Sequence, residues 1–226
     1  QRWSAWLHDA VRKCGEHGLL VDIHDEYRPT GFSRTYPNLM TQEGIRGNEE
    51  MPDATHNTIL PFTRFLAGAG DYTLCYFNSR VKNTKAHQLA MAAVYYSPLQ
   101  FMFWYDKPEF YKGEEELEFW KAIPSVWDDS RALDGEIGEY IVQARRSGND
   151  WFDGAMTNTE TRTLTLTTDF LKPGGKYMLH LYEDDDKLNT RTNVRTTHKK
   201  IKAGDKLVLK LKASGGAALH FTPLEK

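Results

Sequence analysis

Cysteine is nearly missing from this sequence, with Cys14 and Cys75 its two thiols. Two residues so far apart supply neither a disulfide framework nor a zinc knuckle, and both lie in apolar segments that predict free, buried thiols. A charge excess is lacking too: 29 basic side chains stand against 31 acidic ones, and the pI is near 6.5. That balance argues against nucleic acid or an anionic membrane as the principal partner. No stretch reaches the roughly 18 apolar residues from which a membrane span is read. The opening QRWSAWLHDA has no charged-then-apolar export signal and reads as a chain entered partway through a helix. A GxGxxG fingerprint is absent, which lowers the nucleotide-binding reading. What is plentiful is aromatic, at 12% of residues within a 40% hydrophobic total. That content builds a core and also suits a pocket for the flat faces of sugars.

Trp3, Trp6, Leu7, Ala10, Val11 and Cys14 recur at helical spacing, with Gly15 or Gly18 available as a left-handed stop. GLLVDIH follows, the branched apolar run of a strand buried on both faces of a parallel sheet. Alternation continues with strands in NLMTQE, DYTLCYF and PLQFMFWY, helices in HNTILPFTRFLAG and KAHQLAMAAVYY, and a final helix in GEEELEFWKAI. Such an order predicts α/β architecture, a (β/α) barrel or an open doubly wound sheet, with chemistry at the strand C-terminal ends. Residues 124–134 read as a crossing loop. Past Gly135 the texture changes to EYIVQARR, WFDGAMT, RTLTLTT, KYMLHLYED, VRTTHKKIK, KLVLKLK and AALHFTP, separated by turns such as KPGGK and KAGDK. These alternating runs predict an antiparallel β-sandwich. The fold class is therefore α/β followed by all-β, divided as 1–134 and 135–226. EDDDK and THKK read as a solvated loop and a solvated strand face.

Between His24 and Glu50 the pattern dissolves, yet carboxylates, arginines, glycines and prolines crowd together. His24 and Asp25 follow one strand, Glu43 follows another, and Glu49 comes six residues later across Gly44 and Gly47. Carboxyl groups brought together from adjacent strand ends repel when ionised, so one keeps a proton or a cation neutralises them. One outcome is a general acid beside a hard cation such as calcium. The other is a structural network in which Arg28, Arg34 and Arg46 pair with the carboxylates. Asp71 and His87 are further candidates to approach such a pocket, with a strand-start aspartate and a core histidine as equal readings.

The same stretch resembles the most characteristic segment of glycoside hydrolase family 97. The resemblance rests on Arg28-Pro29-Thr30-Gly31, then Arg34-Thr35-Tyr36-Pro37-Asn38, then Glu43 and Glu49, and continues through GAGDYT, AHQLAMAAVYYSPLQF and PSVWDDSRALDG into the β-rich tail. It implies the C-terminal half of a (β/α)8 TIM-type barrel plus a β domain, in a calcium-dependent, exo-acting α-glucosidase or α-galactosidase. Glu49 would be the general acid. Glu43, Asp25 and Glu49 would hold Ca2+, and His24 would contact an oligosaccharide or α-glycoside substrate. At the position of Asp25, inverting relatives carry glutamate and some retaining ones glycine, so aspartate matches neither. The resemblance further implies a bacterial periplasmic or secreted enzyme.

A closed barrel typically takes about 250 residues, and glycoside cleavage takes two carboxylates. The expectation is that nucleophile or base belongs to a missing N-terminal part of the same enzyme. Two other readings compete. One is a non-catalytic carbohydrate-binding module with Trp104, Tyr105 and Trp151 as stacking surfaces. The other is a zinc-dependent hydrolase built on His24, His56, Glu43 and Glu49.

Overall fold

The computed structural model describes residues 2–25 and 27–224. Helix α1, Arg2–Glu16, stops at Gly18, whose φ of 69° is left-handed. The Leu19 N–H then reaches back to the Cys14 carbonyl at 2.8 Å, a Schellman closure. Val11 packs on Ile23 of β1, Val21–Ile23, and on Leu39 of β2, Leu39–Gln42. Trp3 and Trp6, expected on that apolar stripe, stay exposed, and Cys14 is half-buried, whereas Cys75 is buried and free.

Strands β1 and β2 pair in parallel. Beyond them the parallel order continues sparsely: the Asp71 N–H donates to the Gln42 carbonyl, and one parallel bridge joins Leu74 to Met102. The strands expected in DYTLCYF and PLQFMFWY reduce to that bridge, because Thr73, Phe103 and Tyr105 take left-handed φ values that a ladder does not accept. HNTILPFTRFLAG likewise breaks into α2, Ala54–Ile59, and two 3-10 turns, since Pro61 lacks the N–H a helix needs. Helix α3, Lys85–Val94, is buried at every position from Ala86 to Val94. GEEELEFWKAI gives a 3-10 turn, Glu115–Leu117, and then the short α4, Glu118–Ala122.

The remainder is antiparallel: β3 Asp129–Glu136, β4 Tyr140–Ser147, β5 Asp150–Thr157, β6 Arg162–Thr167, β7 Lys176–Asp184, β8 Val194–Lys202, β9 Lys206–Leu211 and β10 Gly216–Pro223. All seven runs read as strands are strands. The crossing loop read over 124–134 holds β3, which starts at Asp129, ahead of the change in texture at Gly135; its side chains are mostly exposed, so it carries no apolar alternation. Six strands form one sheet in the order β3-β4-β5-β10-β7-β8, and β6 pairs with β9. Leu164, Leu166, Leu207 and Leu209 of the small pair pack on Val142, Ala155, Leu179 and Leu219 of the large sheet. Its other face packs Phe152, Met156 and Ala218 on Leu89, Ala90 and Val94 of α3. The central strands of the large sheet, β4, β5, β10 and β7, are thus covered on both faces.

Three contacts lock α3 to that sheet. The Thr84 hydroxyl caps α3 and donates to Asp184 at 2.8 Å, so the first aspartate of EDDDK is structural and not solvated. Asn57 Nδ2 donates to His87 Nε2 at 3.2 Å, and His87 Nδ1 donates to the Gly215 carbonyl at 3.0 Å. Burial pushes the His87 imidazole down to about 4, so it is neutral. His87 is the core histidine of the two readings and does not reach the carboxylate pocket. Finally, Gly154 lies under α3 with no room for a side chain, a Cβ there falling 2.7 Å from Val94 Cγ2.

Alternation puts Asp153 of β5 on the sandwich face with Trp151 and Ala155. It is fully buried, neither carboxylate oxygen has a hydrogen-bond partner among the described residues, and burial raises its carboxyl well above the usual range. Asp153→Val, which removes the orphaned group and keeps a strand-forming side chain, is expected to stabilise the fold by about 1–3 kcal/mol. A melting temperature unchanged or lowered in the variant would show that Asp153 has a partner in solution.

Candidate active site

Four carboxylates converge on one imidazole at the ends of β1 and β2. The Glu43 N–H bonds the Ile23 carbonyl at 2.8 Å and the Gly44 N–H bonds the Asp25 carbonyl at 3.0 Å, so the two chains leave the sheet side by side. Gly44 permits this: its φ is +45°, and a Cβ there would sit 2.6 Å from the Tyr27 carbonyl oxygen. Arg64 fixes the same turn from beneath, its guanidinium donating to the carbonyls of Gln42, Glu43, Gly44, Gly68 and Ala69. Glu49 rides on a 3-10 turn, Asn48–Glu50. That turn rests on the next chain segment through Asn48, whose N–H bonds the Tyr72 carbonyl at 2.9 Å and whose amide reaches Gln88 of α3 at 2.9 Å.

His24 is the hub. Its Nε2 lies 3.0 Å from Asp71 Oδ2 and 3.2 Å from Asp22 Oδ2, and its Nδ1 faces Glu43 Oε2 at 3.6 Å. The ring stacks on Trp104 at 5.6 Å between centroids. Asp71 is fully buried and aimed by two backbone donors, Thr73 N–H at 3.2 Å and Phe101 N–H at 3.0 Å. His24, Glu43 and Glu49 offer ligand atoms within 4.8 Å of one another, and so do Asp22, His24 and Asp71.

Too much negative charge gathers here for every group to ionise. Burial, then the Asp71 charge, pushes the Asp22 carboxyl up to about 7. Burial, then sharing with Glu49, lifts Glu43 to about 7, opposed by the Asp25 N–H at 2.5 Å. For His24, burial works against the charged ring, but the Asp71 hydrogen bond and the surrounding carboxylates win and raise it. The network of arginines is not built: Arg46 pairs with the exposed Glu50 at 3.1 Å, and among the described residues no arginine is ion-paired with Glu43 or Glu49.

Of the residues singled out from sequence, His24, Glu43 and Glu49 come together. Asp25 does not join either cluster; it takes a left-handed φ of 67°, is exposed, and gives Glu43 its backbone N–H. Its side chain stays on the rim of a cavity of about 560 Å3 that it lines with Arg28, Glu43, Arg46, Glu49 and Tyr105. His56 turns to the Arg46 carbonyl at 3.1 Å, outside the set proposed for zinc. Trp151 is 4% exposed in the sandwich core and stacks on no sugar, because β6 and β9 cover its face. Sequence reasoning missed Asp22, although a charge inside the apolar run GLLVDIH was its signal. Arg64 left none.

A family model described as "Glycosyl-hydrolase 97 C-terminal, oligomerisation" matches residues 126–222, and one described as "Glycoside hydrolase 97" matches residues 1–45. The chain is 33% identical to a "Retaining alpha-galactosidase" of Bacteroides thetaiotaomicron, over 98% of this chain and 36% of that protein. It is 32% identical to a "Probable retaining alpha-galactosidase" of Streptomyces bingchenggensis, over 96% of this chain and 34% of that one. The chain thus spans about a third of the length of these curated relatives. Among solved structures, a Glycoside Hydrolase Family 97 enzyme from a Pseudoalteromonas species, in complex with acarbose, superposes with a TM-score of 0.87 and 36% identity over 97% of this chain and 37% of that one. A beta-arabinopyranosidase gives 0.82 and 27% over 95% and 36%. No helix among the described residues is long and apolar enough to cross a membrane.

Proposed function

We propose, from the premise that this chain belongs to glycoside hydrolase family 97, that it carries the acid half of an exo-acting α-glycosidase active site. The observation that carries the reading is the Glu43–Glu49 pair, which no arginine among the described residues ion-pairs although Arg28 and Arg46 line the same cavity, and in which Glu43 holds a proton up to near neutrality. An α-galactoside is the first substrate to try, since that is the activity named for both curated relatives.

In this reading Glu49 protonates the glycosidic oxygen as the bond breaks. His24, held by Asp71 and Asp22 from behind, presents its ring to the sugar beside Trp104. A second carboxylate must stand about 5 Å from the acid to act as nucleophile, or about 6.5–9.5 Å away to activate water. We assign it to a preceding part of a longer enzyme, as the relatives' threefold greater length supports. The same part would supply the earlier strands of a (β/α)8 barrel, to which β1, β2 and the Leu74–Met102 bridge add the later ones. Asp25 favours a retaining outcome, because its left-handed backbone suits the glycine of some retaining relatives and its side chain adds no base to the cluster. The assay is hydrolysis of nitrophenyl α-galactoside and α-glucoside by that longer enzyme, with the anomer first released read by NMR. Turnover of neither substrate would end the proposal.

Calcium fits the donor set: Glu43 and Glu49 offer hard oxygens and, without a cation, must share a proton. Glu43 and Glu49 would hold it, Asp25 would approach from the rim, and the bound ion would keep Glu43 ionised. The pH dependence follows. The folded protein holds the Glu43 proton up to about 7 while the unfolded chain releases it near 4.5. Metal-free stability from this group is therefore present below pH 4.5 and lost as pH rises through 7. Calcium should reverse that trend, adding about 2.7 kcal/mol at a hundredfold excess over Kd, with a larger gain in melting temperature at pH 8 than at pH 5. Glu43→Gln should abolish the gain at both. A calcium shift that survives the substitution would place the ion elsewhere.

A further inference from the structure

Three of the eight histidines fall in one row of the large sheet. His180 of β7 lies opposite His198 of β8 in one register and opposite His220 of β10 in the other. His180 and His198 turn their rings to each other, Nδ1 to Nδ1, at 2.8 Å. Behind His198, Glu115 Oε1 lies 3.3 Å from Nε2. Behind His180, the ring of His220 stacks at 5.6 Å, itself held by Asp150 at 2.9 Å and by Phe152 at 4.2 Å between centroids. None of these residues belongs to the carboxylate cluster around His24.

Proton bookkeeping gives the pair its meaning. A neutral imidazole has one N–H. If Glu115 takes the one on His198 Nε2, the His198 Nδ1 is a lone pair, and one proton on His180 Nδ1 makes the short contact. Two imidazole nitrogens aimed at one point, one of them backed by a carboxylate, form the donor arrangement of a histidine-ligated metal with its outer-shell orienter. Zinc–nitrogen bonds of about 2.0–2.1 Å require the rings to part slightly, and His198, with 45% of its side chain exposed, has room to do so and leaves an open side for water.

We propose that His180 and His198 form a binding site for a divalent borderline metal ion of the zinc, nickel or copper class, oriented by Glu115 and independent of the carboxylate cluster. Imidazole nitrogens select these ions over calcium. Metal entry moves the His180 proton from Nδ1 to Nε2 and releases none to solvent, unless the pair is protonated beforehand.

The test is calorimetric titration of the full 226-residue chain with Zn2+ at pH 7.5, on a background of His24→Gln, Glu43→Gln and Glu49→Gln so that both ligand groups around His24 are silenced. One saturable ion is expected, with Ca2+ giving no heat. Glu115→Gln should weaken Zn2+ by about tenfold, His198→Gln should remove the saturable isotherm, and His17→Gln, on an exposed turn, should change nothing. Near-UV circular dichroism confirms that each variant is folded, and His180→Gln repeats the loss from the other side. Zn2+ affinity unchanged in both His180→Gln and His198→Gln, or no saturable binding in the background protein, would show only a hydrogen-bonded imidazole pair and overturn the proposal.

Discussion

Glu49→Gln is expected to lower kcat by about 10²–10⁴-fold on an α-galactoside with an alkyl leaving group, in the longer enzyme proposed above. The same variant should lose far less on a dinitrophenyl α-galactoside. A general acid matters in proportion to how badly the departing oxygen needs a proton, and a dinitrophenolate leaves without one. Glutamine keeps the shape of the side chain and its contact with Glu43 but has no acidic proton. Equal losses on both substrates would mean that Glu49 acts by holding the ion or the fold. Undiminished turnover on the alkyl glycoside would remove it from the mechanism altogether. The contrast is sharpened by the local structure: Glu49 sits on a turn seated on the Tyr72 carbonyl through Asn48, so a change of one side-chain atom should leave the backbone in place.

The largest effect on stability is expected at Gly154, far from any chemistry. An alanine methyl there would fall against the Ala90 carbonyl and within 2.7 Å of Val94 Cγ2. The first is backbone in the middle of α3 and has no rotamer to retreat into, so the helix must lift from the sheet. Overpacking of this kind typically costs about 1–3 kcal/mol. With backbone on one side the upper value applies, a fall of roughly 6–12 °C in melting temperature. Gly148→Ala is the control, because Gly148 has φ +58° but nothing within 4 Å of the added Cβ. It should show only the milder strain of a left-handed alanine. Equal melting points for the two variants would mean that α3 stands off the sheet in solution.

Seven strands of the β-rich part were legible because each alternates apolar and polar residues against two buried faces, or one buried and one wet. Strand β3 was hidden because most of its side chains are exposed and only Leu133 packs on the sandwich core, too few to make an apolar alternation. In the α/β part the short parallel strands read correctly where they were apolar runs. They read too long where Thr73, Phe103 and Tyr105 break the ladder, since left-handed backbone at a non-glycine residue is imposed by tertiary contacts. The candidate site was legible where charge was out of place: His24, Glu43 and Glu49 stood in a stretch with no periodicity to explain them. Asp71 remained ambiguous because, beside the local Thr73 N–H, the donor that aims it is the Phe101 N–H from a distant segment and its imidazole partner is His24 from another. Asp25 was legible as a rim carboxylate but not in its backbone role. No periodicity announces its φ of 67°, which turns the amide toward Glu43 and leaves the side chain at the rim. Trp151 misled because an aromatic on a strand reads the same under a second sheet as on an open face.

The sheet whose central strands are dry on both sides bears on how this polypeptide divides. A change in sequence texture near residue 135 suggests two modules joined end to end, yet α3 is roofed by strands that come later in the chain. Excising the β-rich portion would wet Ala86–Val94 and leave His87 without the Gly215 carbonyl that receives its proton. The turn that carries Glu49, which leans on Gln88 of that helix, would lose its foundation. The change in texture is therefore not a gap in packing, and the C-terminal portion supports the turn on which Glu49 stands.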